Sequence, residues 1–281
     1  MALVHDRCIC LRKVEYSETS QILTLFGRAH GRVQLIAKGA HRRTKVGASK
    51  FDGGVDLVDL GEAVFSHAPE RDMSPLCEWH QIDGHLELRR NLRSVYLALY
   101  AGELVNLLIE DHDPHPDLFD RLEQTLAELG TPRLEEAFLA FELDLLREAG
   151  FPPELSACVE CGSIVDGRAY FSAERGAVVC QSCEQVVFDR MEVDARVLRI
   201  ARGFRTLQRD GRGTPQRMPR LTRHQTDPIN LLLARHVEQR LGRRLRMVPY
   251  VAGARAGTGA GTRPFGPAAK QQGNLVQAPR V

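Results

Sequence analysis

The chain has 281 residues, 43% of them hydrophobic and 26% charged, with a formal net charge of +2. That length predicts two domains, and that balance excludes a wholly disordered chain. No apolar run approaches the roughly 18 residues of a membrane span, and the first residues lack a signal-peptide pattern, so a cytoplasmic protein without a membrane partner is expected.

Residues 1–82 read as short strands at 8–11, 21–26, 31–38, 55–60, 63–66 and 76–79, punctuated by Gly27, Gly31, Gly39, Gly53, Gly54 and Gly61. Residues 31–38 alternate polar and apolar, as a half-buried strand does. Gly61-Glu62 is expected to turn one strand into the next, and Cys8 and Cys10 to face opposite sides of theirs. Several short strands with no long helix predict a small closed barrel, for which the oligonucleotide-binding (OB) fold is the natural candidate. From 28 to 50 there are seven basic residues (Arg28, Arg32, Lys38, Arg42, Arg43, Lys45, Lys50) and no acidic one. The stretch from Lys38 to Lys50 carries five of these with several glycines, a pattern suited to phosphate backbones. His41 fits a surface position or phosphate contact better than a general base, and Phe26, Phe51 and Phe65 fit a core better than a stacking platform. Such a surface predicts weakly sequence-specific, strongly salt-dependent binding.

The character then becomes helical. Helices are expected over 88–108, from 116 or 117 to 129, and over 131–149 with Thr131 as N-cap and Pro132 at the first position. From 110 to 148 twelve acidic residues stand against three arginines. In the connection between the first two helices, Asp111, His112, Asp113, His115 and Asp117 could hold a metal weakly, although such loops are commonly acidic. Two more helices are expected over 194–207 and 227–241, joined by an arginine-rich loop at 209–225. The Gly-, Ala- and Thr-rich stretch from 253 reads as disordered. The fold class is therefore α+β: an OB domain at 1–82, a helical domain at 83–157 and 190–250, a zinc-binding insert at 158–189, and a disordered tail at 251–281.

The insert carries the strongest motif. Cys158 and Cys161, then eighteen residues, then Cys180 and Cys183, form two Cys-x2-Cys knuckles with zinc-ribbon spacing. Each knuckle aims two thiolates at one ion, and two knuckles complete a tetrahedron. Residues 168–171 and 176–179 read as ribbon strands, with Asp166-Gly167 as a turn. Four thiolates leave no position for a reactive water, so the zinc is expected to be structural. Seven cysteines in no disulfide framework indicate a reduced protein. No Walker loop, Gly-x-Ser-x-Gly or His-Glu-x-x-His motif is present, so the chain is expected not to be an enzyme. The rivals are a zinc-ribbon interaction module of transcription or translation and a nuclease; the second needs carboxylates near the basic run, where there are none.

Three stretches resemble the bacterial recombination mediator family RecO: Tyr16-Ser17-Glu18-Thr19-Ser20-Gln21-Ile22-Leu23-Thr24-Leu25-Phe26, the run from Gly31 to Lys38 with the basic loop after it, and Leu145-Leu146-Arg147-Glu148-Ala149-Gly150-Phe151-Pro152-Pro153-Glu154-Leu155 leading into Cys158. Residues 241–245 are similar to the family's last helix. The resemblance implies a protein of DNA repair and recombination that binds single- and double-stranded DNA through the barrel and anneals complementary strands. It implies partnership with RecR, contact with the acidic C-terminal tail of single-stranded DNA-binding protein (SSB), and indirect loading of RecA. On the same footing Lys38, Arg42, Arg43, Lys45 and Lys50 would contact DNA, and the four insert cysteines would ligate zinc. Arg202, Arg205 and Arg209, with Leu198 and Leu207, would suit the partner's tail.

Overall fold

The computed structural model describes residues 2–41, 50–51, 54–67, 70, 73–209 and 219–252. Five strands, β1 (Ala2–Ser17), β2 (Ser20–Gly27), β3 (Gly31–Ala37), β4 (Leu60–His67) and β5 (Ser74–Asp83), close into a barrel in the order β1-β2-β3-β5-β4. All neighbours are antiparallel except β3 and β5. This is the OB fold, and closure removes the free edges a small sheet would expose.

β1 reaches well beyond the expected 8–11 because it serves two partners. Its first half pairs with β4 and its second with β2, with a register shift between Cys10 and Arg12 where it changes allegiance. Cys8 and Cys10 do not face opposite sides. Residues two apart on a strand share a face, and both thiols are buried inside the barrel with Leu23, Leu25, Val33 and Leu35. The expected strand at 55–60 is a turn up to Asp59. The Asp59 carboxylate accepts from the Asp56 N–H at 2.8 Å, the Asp56 carboxylate accepts from the Leu57 N–H at 2.8 Å, and Val58 sits at φ 61°. Short acidic side chains bonding their own backbone override the alternating pattern. Gly61 lies inside β4 rather than at a turn, because the Trp79 indole covers it and a Cβ there would stand 2.5 Å from the ring.

A 3-10 turn (Leu86–Arg90) leads into α1 (Leu92–Leu108), α2 (Pro116–Leu129) and α3 (Leu134–Glu148). The Asn91 side chain caps α1 by accepting the Arg93 N–H. Arg133 rather than Thr131 is the N-cap of α3; the Thr131 hydroxyl donates to the Glu128 carbonyl at 2.7 Å and accepts the Arg133 N–H at 3.2 Å, and so links the end of α2 to the start of α3. At the end of α3, Gly150 at φ 80° lets the Gly150 and Phe151 amides bond back to the Arg147 and Leu146 carbonyls, so the chain leaves at a fixed angle. The segment that follows forms a three-stranded ribbon, β6 (Ala169–Ser172), β7 (Ala177–Cys180) and β8 (Arg190–Val193), in the order β7-β6-β8. The third strand was not legible as one.

α4 (Ala195–Arg209), α5 (Arg223–Leu241) and α6 (Val248–Val251) complete the fold. α5 starts at Arg223 rather than 227, since a Thr222–Gln225 capping box holds its first turn despite Pro228. Residues 241–245 are not a last helix: α5 ends at Leu241 and Gly242, at φ 64°, turns the chain away. In the helical unit the Arg93 guanidinium reaches both Glu135 oxygens at 2.9 Å, Asp227 at 2.7 Å, and the Val251 carbonyl. One side chain thereby ties α1, α3, α5 and α6 together.

There are two cores. One fills the barrel; the other runs through the helices and the ribbon and includes Ile9, Leu11, Phe26 and Leu60 from the barrel's outer side. Phe26 meets Phe119 of α2 at a centroid distance of 5.8 Å. Around this contact the basic barrel meets acidic α2 and its preceding loop. Arg7 pairs with Glu123, Arg28 with Asp120 at 2.7 Å, and Arg32 with Asp111 at 2.9 Å.

Candidate nucleic-acid interface and cysteine cluster

The outer face of β1–β3 is set by strand alternation. Val33, Leu35 and Ala37 point into the barrel, so Arg32, Gln34, Ile36 and Lys38 point out. Cross-strand pairing sets Val14, Ile22 and Ile36 in one row across the face, with Val14 exposed and the isoleucines half-buried. Beside this row is an open groove of ≈ 490 Å³ lined by Tyr16, Thr19, Ser20, Ile36, Lys38 and Lys50. Tyr16 is 65% exposed. Lys38 and Lys50 are exposed and form no ion pair among the described residues. A half-apolar sheet face with an exposed aromatic and free cations has the chemistry of a single-strand platform, where bases stack and the backbone meets positive charge.

The expected basic set divides in space. Lys38 and Lys50 line this groove. Arg42, Arg43 and Lys45 lie outside the described residues. Arg28 and Arg32 lie at the opposite end of β3, about 20 Å from Lys38 at 3.3 Å per residue. Both are engaged by acids of the helical unit. His41 is engaged too, with Glu15 at 3.0 Å. Phe26, Phe51 and Phe65 are all buried. The aromatic of the face is Tyr16, which the strand pattern did not flag; its signal was the outward series Arg12, Val14, Tyr16 running to the β1–β2 turn.

The four cysteine sulfurs all lie within 4.8 Å of one another, and those of Cys161 and Cys180 are 3.7 Å apart. A tetrahedral site with metal–sulfur bonds of about 2.3 Å needs sulfur separations of about 3.8 Å. The knuckle at Cys158 closes through the Gly162 N–H to the Cys158 carbonyl at 2.9 Å, with Gly162 at φ 71°. The Cys180 N–H donates to the Cys158 sulfur at 3.4 Å. The Ser163 hydroxyl, 3.4 Å away, and its N–H pull the Cys161 thiol down to about 6. At Cys158 burial opposes ionisation, but the amides of Cys180, Cys161 and Glu160 outweigh it. Cys183, facing the Cys180 and Cys161 sulfurs, is pushed up to about 12. Negative charge is thus welcome at the first sulfurs and resisted at the last, a repulsion that a divalent cation relieves. The donor set fits one tetrahedral ion, and it is the one metal-capable group of His, Cys, Asp or Glu among the described residues. The acidic connection at 111–117 is not such a group: Asp111 serves Arg32 and Asp113 serves His115.

The ribbon is not a separate module. Cys158, Val165, Phe171 and Val178 belong to the helical core. Arg202 of α4 donates to the Leu155 and Val165 carbonyls at 2.5 and 2.7 Å. Arg202 is therefore not available to a partner's tail, and Leu198 is buried; the side chains of Arg205 and Arg209 lie outside the described residues.

Comparison with known proteins closes the question of kinship. Residues 1–85 match the family model for the recombination protein O N terminal and residues 89–247 the model for its C terminal. The chain belongs to the RecO family. The DNA repair protein RecO of Myxococcus xanthus is 31% identical over 249 residues, covering 88% of this chain and 96% of that one. That of Pelotomaculum thermopropionicum is 29% identical, covering 92% and 99%, and that of Anaeromyxobacter sp. (strain Fw109-5) is 34% identical, covering 62% and 68%. RecO membership places the chain among proteins of DNA repair and recombination. In this RecO-family chain no described helix is long and apolar enough to cross a membrane.

Proposed function

We propose that the chain is a recombination mediator that binds single-stranded DNA across the outer face of β1–β3 and promotes annealing without covalent chemistry. The observation that carries this reading is Tyr16, exposed beside Lys38 and Lys50 on the sheet of a RecO-family OB barrel. Bases stack on the ring and the apolar row, while phosphates meet the lysines together with Arg42, Arg43 and Lys45. Cations on one face lower the repulsion between two backbones, which lets complementary strands meet. Arg28 and Arg32 act as ties to the helical unit more than as contacts. The same reading makes RecR and the SSB tail partners, RecA the indirect beneficiary, double-stranded DNA a second ligand, and a structural Zn2+ the occupant of the cysteine cluster.

The test is annealing of complementary oligonucleotides, bare or coated with SSB, without nucleotide. The parent chain is expected to accelerate both. Tyr16→Ala is expected to weaken single-strand binding by about 1–3 kcal/mol, the range for one stacked base. Replacing Lys38 and Lys50 by alanine should flatten the slope of log K against log salt by about 1.4, at about 0.7 per lost phosphate contact. No acceleration by a folded parent chain overturns the mediator reading, and unchanged binding by both variants overturns the assignment of this face.

A further inference from the structure

A second groove, of ≈ 840 Å³, separates the barrel from the helical unit. Its barrel wall is Arg12, Thr24 and Gln34, a cross-strand row on the same outer face as Val14, Ile22 and Ile36 and next to it. Its other wall is α1, through Leu99, Asn106 and Leu107, and its rim is the segment after α5, bearing Arg243, Arg244 and Arg246.

That rim is built. Gly242 turns the chain off the axis of α5. The Leu245 N–H then donates to Glu238 at 3.0 Å, and the Arg246 and Met247 N–H groups to the two Glu103 oxygens at 2.7 and 2.9 Å. Leu245 is buried, while the side chains of Arg243, Arg244 and Arg246 are exposed. Glu103 is the one carboxylate lining the groove, and both its oxygens are taken by these amides. Arg12, Arg243, Arg244 and Arg246 form no ion pair among the described residues. Arg32, which also lines the groove, is held by Asp111 and the Asn106 carbonyl, and Arg7 and Arg28, at the other contacts between barrel and helices, are paired as well. Four free guanidinium groups, with Thr24, Gln34 and Asn106 as neutral partners, thus converge on one channel that is continuous with the sheet face.

We propose that this groove holds a second stretch of nucleic-acid backbone, so that a strand crossing the barrel face runs on to the segment after α5. This rests on the reading of the barrel face as the primary single-strand site. Guanidinium groups bind phosphate oxygens in a bidentate fork, and continuity with the face favours an extended strand over an acidic peptide.

The test uses the full chain with Arg243, Arg244 and Arg246 all changed to alanine. Fluorescence anisotropy is read across salt with oligonucleotides of about 6 and about 30 nucleotides, bracketing the site of about 4–16 that one OB barrel covers. The long strand is expected to lose about 10- to 100-fold in affinity at 0.1 M salt, with a slope shallower by about 2, and the short strand to bind as the parent does. The three residues are exposed, so an unchanged melting temperature is expected and controls for folding. Unchanged binding of the long strand overturns the proposal, whether or not an acidic apolar peptide is lost. Equal loss at both lengths also overturns it, since the groove would then belong to the primary site. The variant lacking Lys38 and Lys50 separates the two readings: if it binds both strands normally the barrel face fails, whereas if it weakens both and the arginine variant weakens neither, only the groove fails.

Discussion

Arg93 is the most concentrated point of polar cohesion in the helical unit. Its side chain and that of Glu135 are about one-tenth exposed, at 10% and 9%. Changing Arg93 to alanine removes bonds to Glu135, to Asp227 and to the Val251 carbonyl at once. Asp227 keeps Arg223 at 3.0 Å, but among the described residues Glu135 keeps only the Thr226 hydroxyl at 2.5 Å, a neutral partner for a buried charge. Breaking such a pair from one side costs about 3–5 kcal/mol, most of it the burial of the surviving carboxylate. At about 2–4 °C per kcal/mol for a chain of this class, the melting temperature should fall by about 6–20 °C. Scanning calorimetry or circular dichroism measures it. The cause is checked by a second variant, Arg93→Met with Glu135→Leu, which removes the charges as a pair and should recover most of the loss. A fall of less than about 2 °C for Arg93→Ala would refute the reasoning. So would a paired variant less stable than Arg93→Ala, since the loss would then not come from an orphaned charge.

With the proposed zinc in the cysteine cluster, changing Cys180 to serine should lower bound metal from one equivalent and lower the melting temperature, and a chelator should do the same to the parent, because the energy of binding a structural metal is folding energy; metal analysis with a melt tests both. Glu142 is fully buried, and burial, only partly offset by the Tyr100 hydroxyl donating at 3.3 Å, raises its pKa well above the usual carboxylate range. The folded chain therefore keeps a proton that the unfolded chain loses above about pH 4.3, so this group's contribution turns unfavourable as pH rises through that point. Glu142→Gln should make the chain more stable at pH 8 and flatten its stability between pH 5 and pH 8; urea melts at the two pH values that gave the parent's slope would show the idea wrong. Gly61→Ala places a methyl against Trp79, the chain's one tryptophan, and should cost about 1–3 kcal/mol with a red shift in fluorescence as the indole is displaced.

The sequence yielded the class of fold, the cysteine cluster and most helices because each rests on a short-range rule. Cys-x2-Cys is a knuckle, Pro116 opens α2, and Gly150 closes α3. What stayed hidden depends on partners distant in the chain. β1 looked like 8–11 because His5, Asp6 and Arg7 on one side and Lys13 and Glu15 on the other are polar, and only pairing with two different strands carries it to both ends. Residues 190–193 become a strand only because β6 offers an edge. The basic run from 28 to 50 looked uniform in sequence, yet Asp111 and Asp120 claim two of its arginines, and nothing near Arg28 or Arg32 announces that. The same blindness hid the free arginines: 243, 244 and 246 are separated from Arg12 by most of the chain, and only the turn at Gly242 and the grip of Glu103 bring them to one channel.

The barrel residues that belong to the helical core bear on how relatives can exchange parts. The two family models adjoin near residue 85, which invites hybrids that join one relative's barrel to another's helices. Ile9, Leu11, Phe26 and Leu60 pack across that boundary. With apolar side chains contributing about 1.5–3 kcal/mol each on burial, a mismatched set forfeits much of what a domain has to spare. Such hybrids should work only when these four positions travel with the α1–α2 surface they meet, and a barrel expressed alone should be sticky in solution. Kinship between the two halves is thus kept by shape, and a change such as Phe26 to leucine in one lineage calls for a matching change near Phe119.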